Sequence, residues 1–121
     1  MIKMIALLKR RPDLTLEEFC DYYEQRHAPL FVRMIPPDVA AAIKHYRQNH
    51  AVRIDRGTTE PAYDCVTEFK FENLAGLKVW TMWYRGDGGR VLREDEENFM
   101  DTGRRVTVVT DERPASLDSA C

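Results

Sequence analysis

The chain has 121 residues, enough for one domain, and 44% of them are apolar, so a single hydrophobic core can form. Its net charge is only -2 although 31% of its residues are charged, which argues against nucleic acid or an anionic membrane as a partner. No apolar run reaches the roughly 20 residues that span a bilayer, and the segment from Met1 to Leu8 lacks the basic start of a signal peptide.

Met1 to Lys9 is short and almost continuously apolar, the pattern of a central strand buried on both faces. Thr15, with Glu18 three residues later, predicts a capped helix start. Leu16, Phe19, Cys20, Tyr23, His27, Leu30, Phe31 and Met34 then follow at 3-4 spacings and form one helical face. Pro29 interrupts this helix by leaving the Gln25 carbonyl without a donor, which predicts a kink just after His27. Pro36-Pro37 ends the segment.

Ala42 to Val52 reads as a second strand, polar on both faces and therefore an edge. A loop containing Gly57 leads to a third strand, Tyr63 to Phe71. Asn73 caps a second helix from Leu74 to about Tyr84, Gly86 to Gly89 break it, and a helical turn follows over Val91 to Met100. Arg104 to Thr110 is the last strand. Cys20, Cys65 and Cys121 have no CxxC spacing and are expected as free thiols in a reducing compartment, which points to the cytoplasm.

The resulting order, β-α-β-β-α-β, predicts an α+β ferredoxin-like fold with an antiparallel four-stranded sheet over residues 1–111. Residues 112–121 are expected as a flexible tail. Both helices cover one sheet face. The other must find a partner, and pairing of two sheets in a homodimer meets that need.

Several blocks then resemble a known family. Ile5-Ala6-Leu7-Leu8-Lys9-Arg10, Glu18-Phe19 with Tyr22-Tyr23, and Arg26-His27-Ala28-Pro29-Leu30 resemble the N-terminal half of the EthD family, within the dimeric α/β-barrel superfamily. Tyr46 with Asn49-His50, Tyr63-Asp64 with Glu68, and Asp95-Glu96-Glu97-Asn98-Phe99 with Asp101 are similar to its later blocks. The resemblance implies a dimeric α/β barrel with a cavity near the helix histidine. It also implies cofactor-independent chemistry on aromatic or polyketide-like compounds, such as dehydration, decarboxylation, cyclisation or monooxygenation. A non-catalytic ligand-binding dimer is the alternative.

Among single residues, His27 combines burial on an apolar helical face with a side chain able to exchange a proton near neutral pH. It is either a general acid/base or a core histidine satisfied by one hydrogen bond. Asp64 and Glu68 share one strand face and are candidates to orient His27 or to act as bases, unless Lys44 and Arg47 pair with them. Tyr46 is a candidate to hydrogen-bond a carbonyl or enolate oxygen. Asn49, at odd spacing from Tyr46, reaches the same space only through a bulge. Tyr23, Trp80, Trp83 and Phe99 are candidate walls for a planar hydrophobic ligand, with core packing as the alternative. Asp95 to Glu97 read as a solvated acidic turn. No metal-ligand spacing, GxGxxG or Walker motif is present, so no metal or nucleotide cofactor is expected.

Overall fold

A computed structural model describes residues 1–54 and 60–119; Gly57 of the expected loop and the third thiol, Cys121, lie outside the described residues. The chain runs β1 (Ile2–Leu8), α1 (Leu16–Tyr22), a π-helical turn (Tyr23–His27), α2 (Ala28–Met34), α3 (Pro37–Ala42) and β2 (Ile43–His50). It continues through β3 (Cys65–Phe71), α4 (Leu74–Arg85), α5 (Arg90–Glu96) and β4 (Val106–Asp111). The strands form one antiparallel sheet in the order β2-β3-β1-β4, with the first and third strands central as expected.

Local chemistry accounts for the helix boundaries. Thr15 and Glu18 form the reciprocal capping box that opens α1, and Asn73 accepts from the Gly76 N–H to open α4. Pro37 does not end the helical region. It occupies the first turn of α3, where a missing N–H costs nothing, so a short helix stands where the sequence predicted a stop. The proline-driven break is likewise relocated. A wider turn with the Ala28 N–H bonded to the Tyr23 carbonyl precedes Pro29, and relieves the crowding its ring would impose on the Gln25 carbonyl.

One sheet face is covered by the helices. Leu8, Cys65, Thr67, Phe69 and Phe71 point towards them and are buried. Two apolar clusters form there. One gathers Leu8, Phe19, Tyr23, Phe99 and Met100; the other gathers Phe31, Val39, Phe71, Trp80 and Leu92. Each fully buried phenylalanine contributes roughly 1.5–3 kcal/mol relative to exposure. The uncovered face carries Ile5, Leu7, Val66, Val106 and Val108 between charged residues, and Val108 is 45% exposed.

Asp64 departs from its expected place. β3 starts one residue later, and the Asp64 side chain turns under the start of the chain, where it is fully buried. Its carboxylate accepts from the Arg10 backbone N–H and from Arg10 Nη1, both at 2.8 Å, with Lys9 Nζ at 3.9 Å. It is a structural anchor between β1 and β3. Glu112, at the start of the expected flexible tail, is also held. Its N–H donates to the Met1 carbonyl at 3.0 Å, and its carboxylate bridges Lys3 and Lys70. These lysines lower its carboxyl pKa to about 2.

Two outcomes follow. Asp64→Ala should lose about 2–3 kcal/mol in urea unfolding, because it strips a buried charge-assisted pair, while Asp64→Asn should lose less. Because the Glu112 pKa is depressed in the folded state, its contribution is present above about pH 4.5 and is lost as pH falls towards 2. Glu112→Gln should therefore flatten that part of an acid titration of stability.

Candidate active site

The π-helical turn widens the helix where its inner face meets the sheet. Tyr23 and His27, one turn apart, both point inwards; Tyr23 is 3% exposed and His27 5%. A buried imidazole needs a partner for its N–H. His27 Nδ1 lies 2.8 Å from Asp95 Oδ2, on α5. That carboxylate is fixed in turn by Tyr22 Oη at 2.6 Å and Asn98 Nδ2 at 3.2 Å, both to Oδ1. Burial opposes ionisation of Asp95, but the hydrogen bonds from Tyr22, His27 and Asn98 outweigh it and hold its carboxyl below the usual carboxylate range. An ionised Asp95 can only accept, so Nδ1 carries a proton and Nε2 is the nitrogen left to exchange one. Phe99 packs against the imidazole ring, with centroids 4.9 Å apart, and limits its rotation.

Beyond Nε2 lies a cavity of about 220 Å³ between the helices and the sheet. Its apolar wall includes Met4, Phe31, Phe69 and Trp80. Trp80 stacks on Phe69 and Tyr84, with centroids 4.8 and 5.2 Å away. Two polar groups of side chains face this wall. The first is a chain of hydroxyls: Tyr23 Oη lies 2.7 Å from Thr67 Oγ1, Tyr46 Oη donates to Tyr23 Oη at 3.4 Å, and Gln48 Nε2 donates to Tyr46 Oη at 3.1 Å. Burial raises both tyrosine pKa values, so the phenols stay protonated. The second is Glu96, whose Oε2 lies 3.9 Å from His27 Nε2. Glu96 Oε1 accepts from Tyr84 Oη and from Arg105 Nη1, the latter at 2.9 Å.

The structure brings His27, Tyr23, Tyr46 and Trp80 to one cavity. It separates the other candidates from it. Glu68 projects from the uncovered sheet face, where Lys3 Nζ donates to it at 3.0 Å and Asn49 Nδ2 at 2.9 Å. Lys3 and then Asn49 lower its carboxyl pKa. Asn49 shares that face and also donates to the Val66 carbonyl at 2.9 Å. Neither can orient His27, since the sheet lies between, and buried Asp64 is committed to Arg10. A bulge between Ile43 and His45 brings Ile43 onto the helix-covered face with Tyr46, but leaves Asn49 on the other. Trp83 packs behind Trp80, and Phe99 packs behind His27, outside the cavity lining.

The acids beside His27 are thus Asp95 and Glu96, from the run expected to be a solvated turn. A readable signal was present. Leu92, Glu96, Phe99 and Met100 are all buried, so Glu96 interrupts an apolar face as His27 does. A Cβ at Gly89 would overlap the Tyr84 carbonyl; this close approach folds the chain back from α4 and points α5 at the histidine.

The fold that carries this site is similar to that of several solved structures. A solved EthD family protein from Bacillus halodurans matches with a TM-score of 0.63 at 21% identity, covering 93% of this chain and 99% of that one. An EthD-like protein from Ralstonia eutropha matches with 0.67 at 15% identity, covering 97% and 96%. A protein from Thermobifida fusca, described as dimeric, ferredoxin-like and of unknown function, matches with 0.60 at 17% identity, covering 92% and 90%. At these identities the likeness establishes the ferredoxin-like fold. No match is found among curated proteins. The EthD domain model itself matches residues 11–103, a span that runs from before α1 to just before β4 and takes in His27, Tyr46 and Asp95, and on that match the chain belongs to the EthD domain family.

Proposed function

We propose that the protein is a cofactor-independent enzyme that moves a proton on a small, largely apolar carbonyl compound of aromatic or polyketide-like type. The observation that carries this reading is the buried His27–Asp95 pair whose second nitrogen opens on a cavity. His27 Nε2 takes a proton from the carbon next to the substrate carbonyl. The imidazolium that forms is stabilised by Asp95 through Nδ1 and by Glu96 across the cavity. Tyr46 or Tyr23 donates to the carbonyl oxygen as it gains enolate charge. His27 then returns the proton, to carbon in an isomerisation or to a departing hydroxyl in a dehydration.

The chain works as a homodimer in this reading. The uncovered sheet face, with Ile5, Leu7, Val66 and Val108, is the surface that pairing would bury, and one of the structural neighbours is described as dimeric.

The test screens aromatic and polyketide-like ketones in deuterium oxide for deuterium gained beside the carbonyl, then measures turnover of the hit. His27→Gln should lower kcat by about 10²- to 10⁴-fold. Asp95→Asn should lower kcat strongly with little change in KM, because it disturbs the tautomer rather than binding. Full turnover in His27→Gln overturns the proton-transfer role, and a product carrying added oxygen moves the protein to the cofactor-free monooxygenases. For the dimer, Val108→Glu should shift the mass in light scattering from two chains to one, with unchanged helical circular dichroism.

A further inference from the structure

The cavity wall around α4 and β4 is more cationic than proton transfer requires. Arg85 and Arg105 both line it, and Glu96 is the one carboxylate lining it among the described residues. Arg105 uses a single nitrogen, Nη1, for Glu96 at 2.9 Å and Tyr84 at 3.3 Å. Its Nε and Nη2 have no protein acceptor among the described residues, and with the side chain 27% exposed these donors stay open to solvent or ligand. Arg85 forms no hydrogen bond or ion pair among these residues and is exposed at the rim. Arg93 adds to the local positive potential without entering the cavity; its Nη1 donates to the Tyr84 and Gly86 carbonyls. Two guanidiniums against one carboxylate leave the wall one positive charge in excess.

We infer that Arg105 and Arg85 form a subsite for a carboxylate on the substrate, so the ligand is a small aromatic or polyketide-like acid rather than a neutral ketone. This rests on the cavity being the substrate site. A guanidinium has spare donors in a planar fork that fits a carboxylate. A single excess charge matches a monoanion. Arg105 reaches His27 across Glu96, whose two oxygens face the two residues. A carboxylate docked on the arginines therefore holds the body of the ligand against Trp80 and Phe69 and its reacting carbon near Nε2. The contact also explains why Arg105 is held in place: its bonds to Tyr84 and Glu96 fix the fork before ligand arrives.

Cinnamate and its uncharged isostere cinnamamide test this, with binding followed by quenching of tryptophan fluorescence and by titration calorimetry. Cinnamate should bind at least about tenfold tighter, and the margin should shrink as salt is raised, since part of it is charge attraction. Arg105→Met should remove most of the preference while cinnamamide binding persists. Arg85→Met, at an exposed and unpaired position where folding is not at risk, should reduce the preference more modestly. His27→Gln should keep it. Equal binding of the two probes to the parent protein, or an unchanged preference in the Arg85→Met, Arg105→Met double variant, overturns the carboxylate subsite and leaves the proton-transfer reading standing. Failure of both probes to bind overturns the cavity as a substrate site and the subsite with it.

Discussion

A histidine sealed inside a protein cannot leave its N–H unbonded, and here the partner sits 68 residues away on another helix. That requirement ties the first helical region to α5. Asp95 accepts it as a carboxylate, favoured because Tyr22 and Asn98 donate to its other oxygen. Tyr22 in turn stacks on Phe99 at 5.0 Å, and Phe99 lies against the imidazole. The packing that buries the histidine and the hydrogen bonds that orient it are therefore the same set of residues. Loosening either would disturb the direction in which Nε2 points.

The sheet divides labour between its faces. On the covered side, apolar residues of β1 and β3 form a floor on which phenols, a histidine and a carboxylate are arranged. On the uncovered side, Lys3, Glu68, Asn49, Lys70 and Glu112 neutralise one another around a strip of valines and isoleucine. The first side suits an anionic, mostly apolar ligand. The second, with its apolar strip, suits another protein surface.

Much of this was legible in the sequence. The helical spacing from Leu16 to Met34 placed Tyr23, His27 and Phe31 on one inward face, and strand alternation placed Glu68 opposite Phe69 correctly. What alternation cannot reveal is which face the helices cover, so nothing in the sequence shows that Glu68 lies on the uncovered one. Nor does it mark where a strand begins, and Asp64 fell one residue short of β3. Asp95 and Glu96 were hidden by their neighbours: a run of acids reads as solvated until α5 is seen to turn two of them inwards. Arg105 carries no signal in the sequence, since a charge at a strand start looks like ordinary surface, and only tertiary structure brings it to Glu96. The bulge in β2 and the π-helical turn have no local signature beyond Pro29.

The π-helical turn leaves the site dependent on contacts between the two halves of the chain. His27 comes from the first βα half of the chain, whereas Asp95, Glu96, Tyr84 and Arg105 all come from the second. Each half holds only one member of the His27–Asp95 pair, and the wide turn gains little from local bonding alone. The cavity is thus a property of long-range closure, since its lining comes from segments far apart in the chain. Secondary structure alone therefore carries no competence: the site exists only where the two halves of the chain meet.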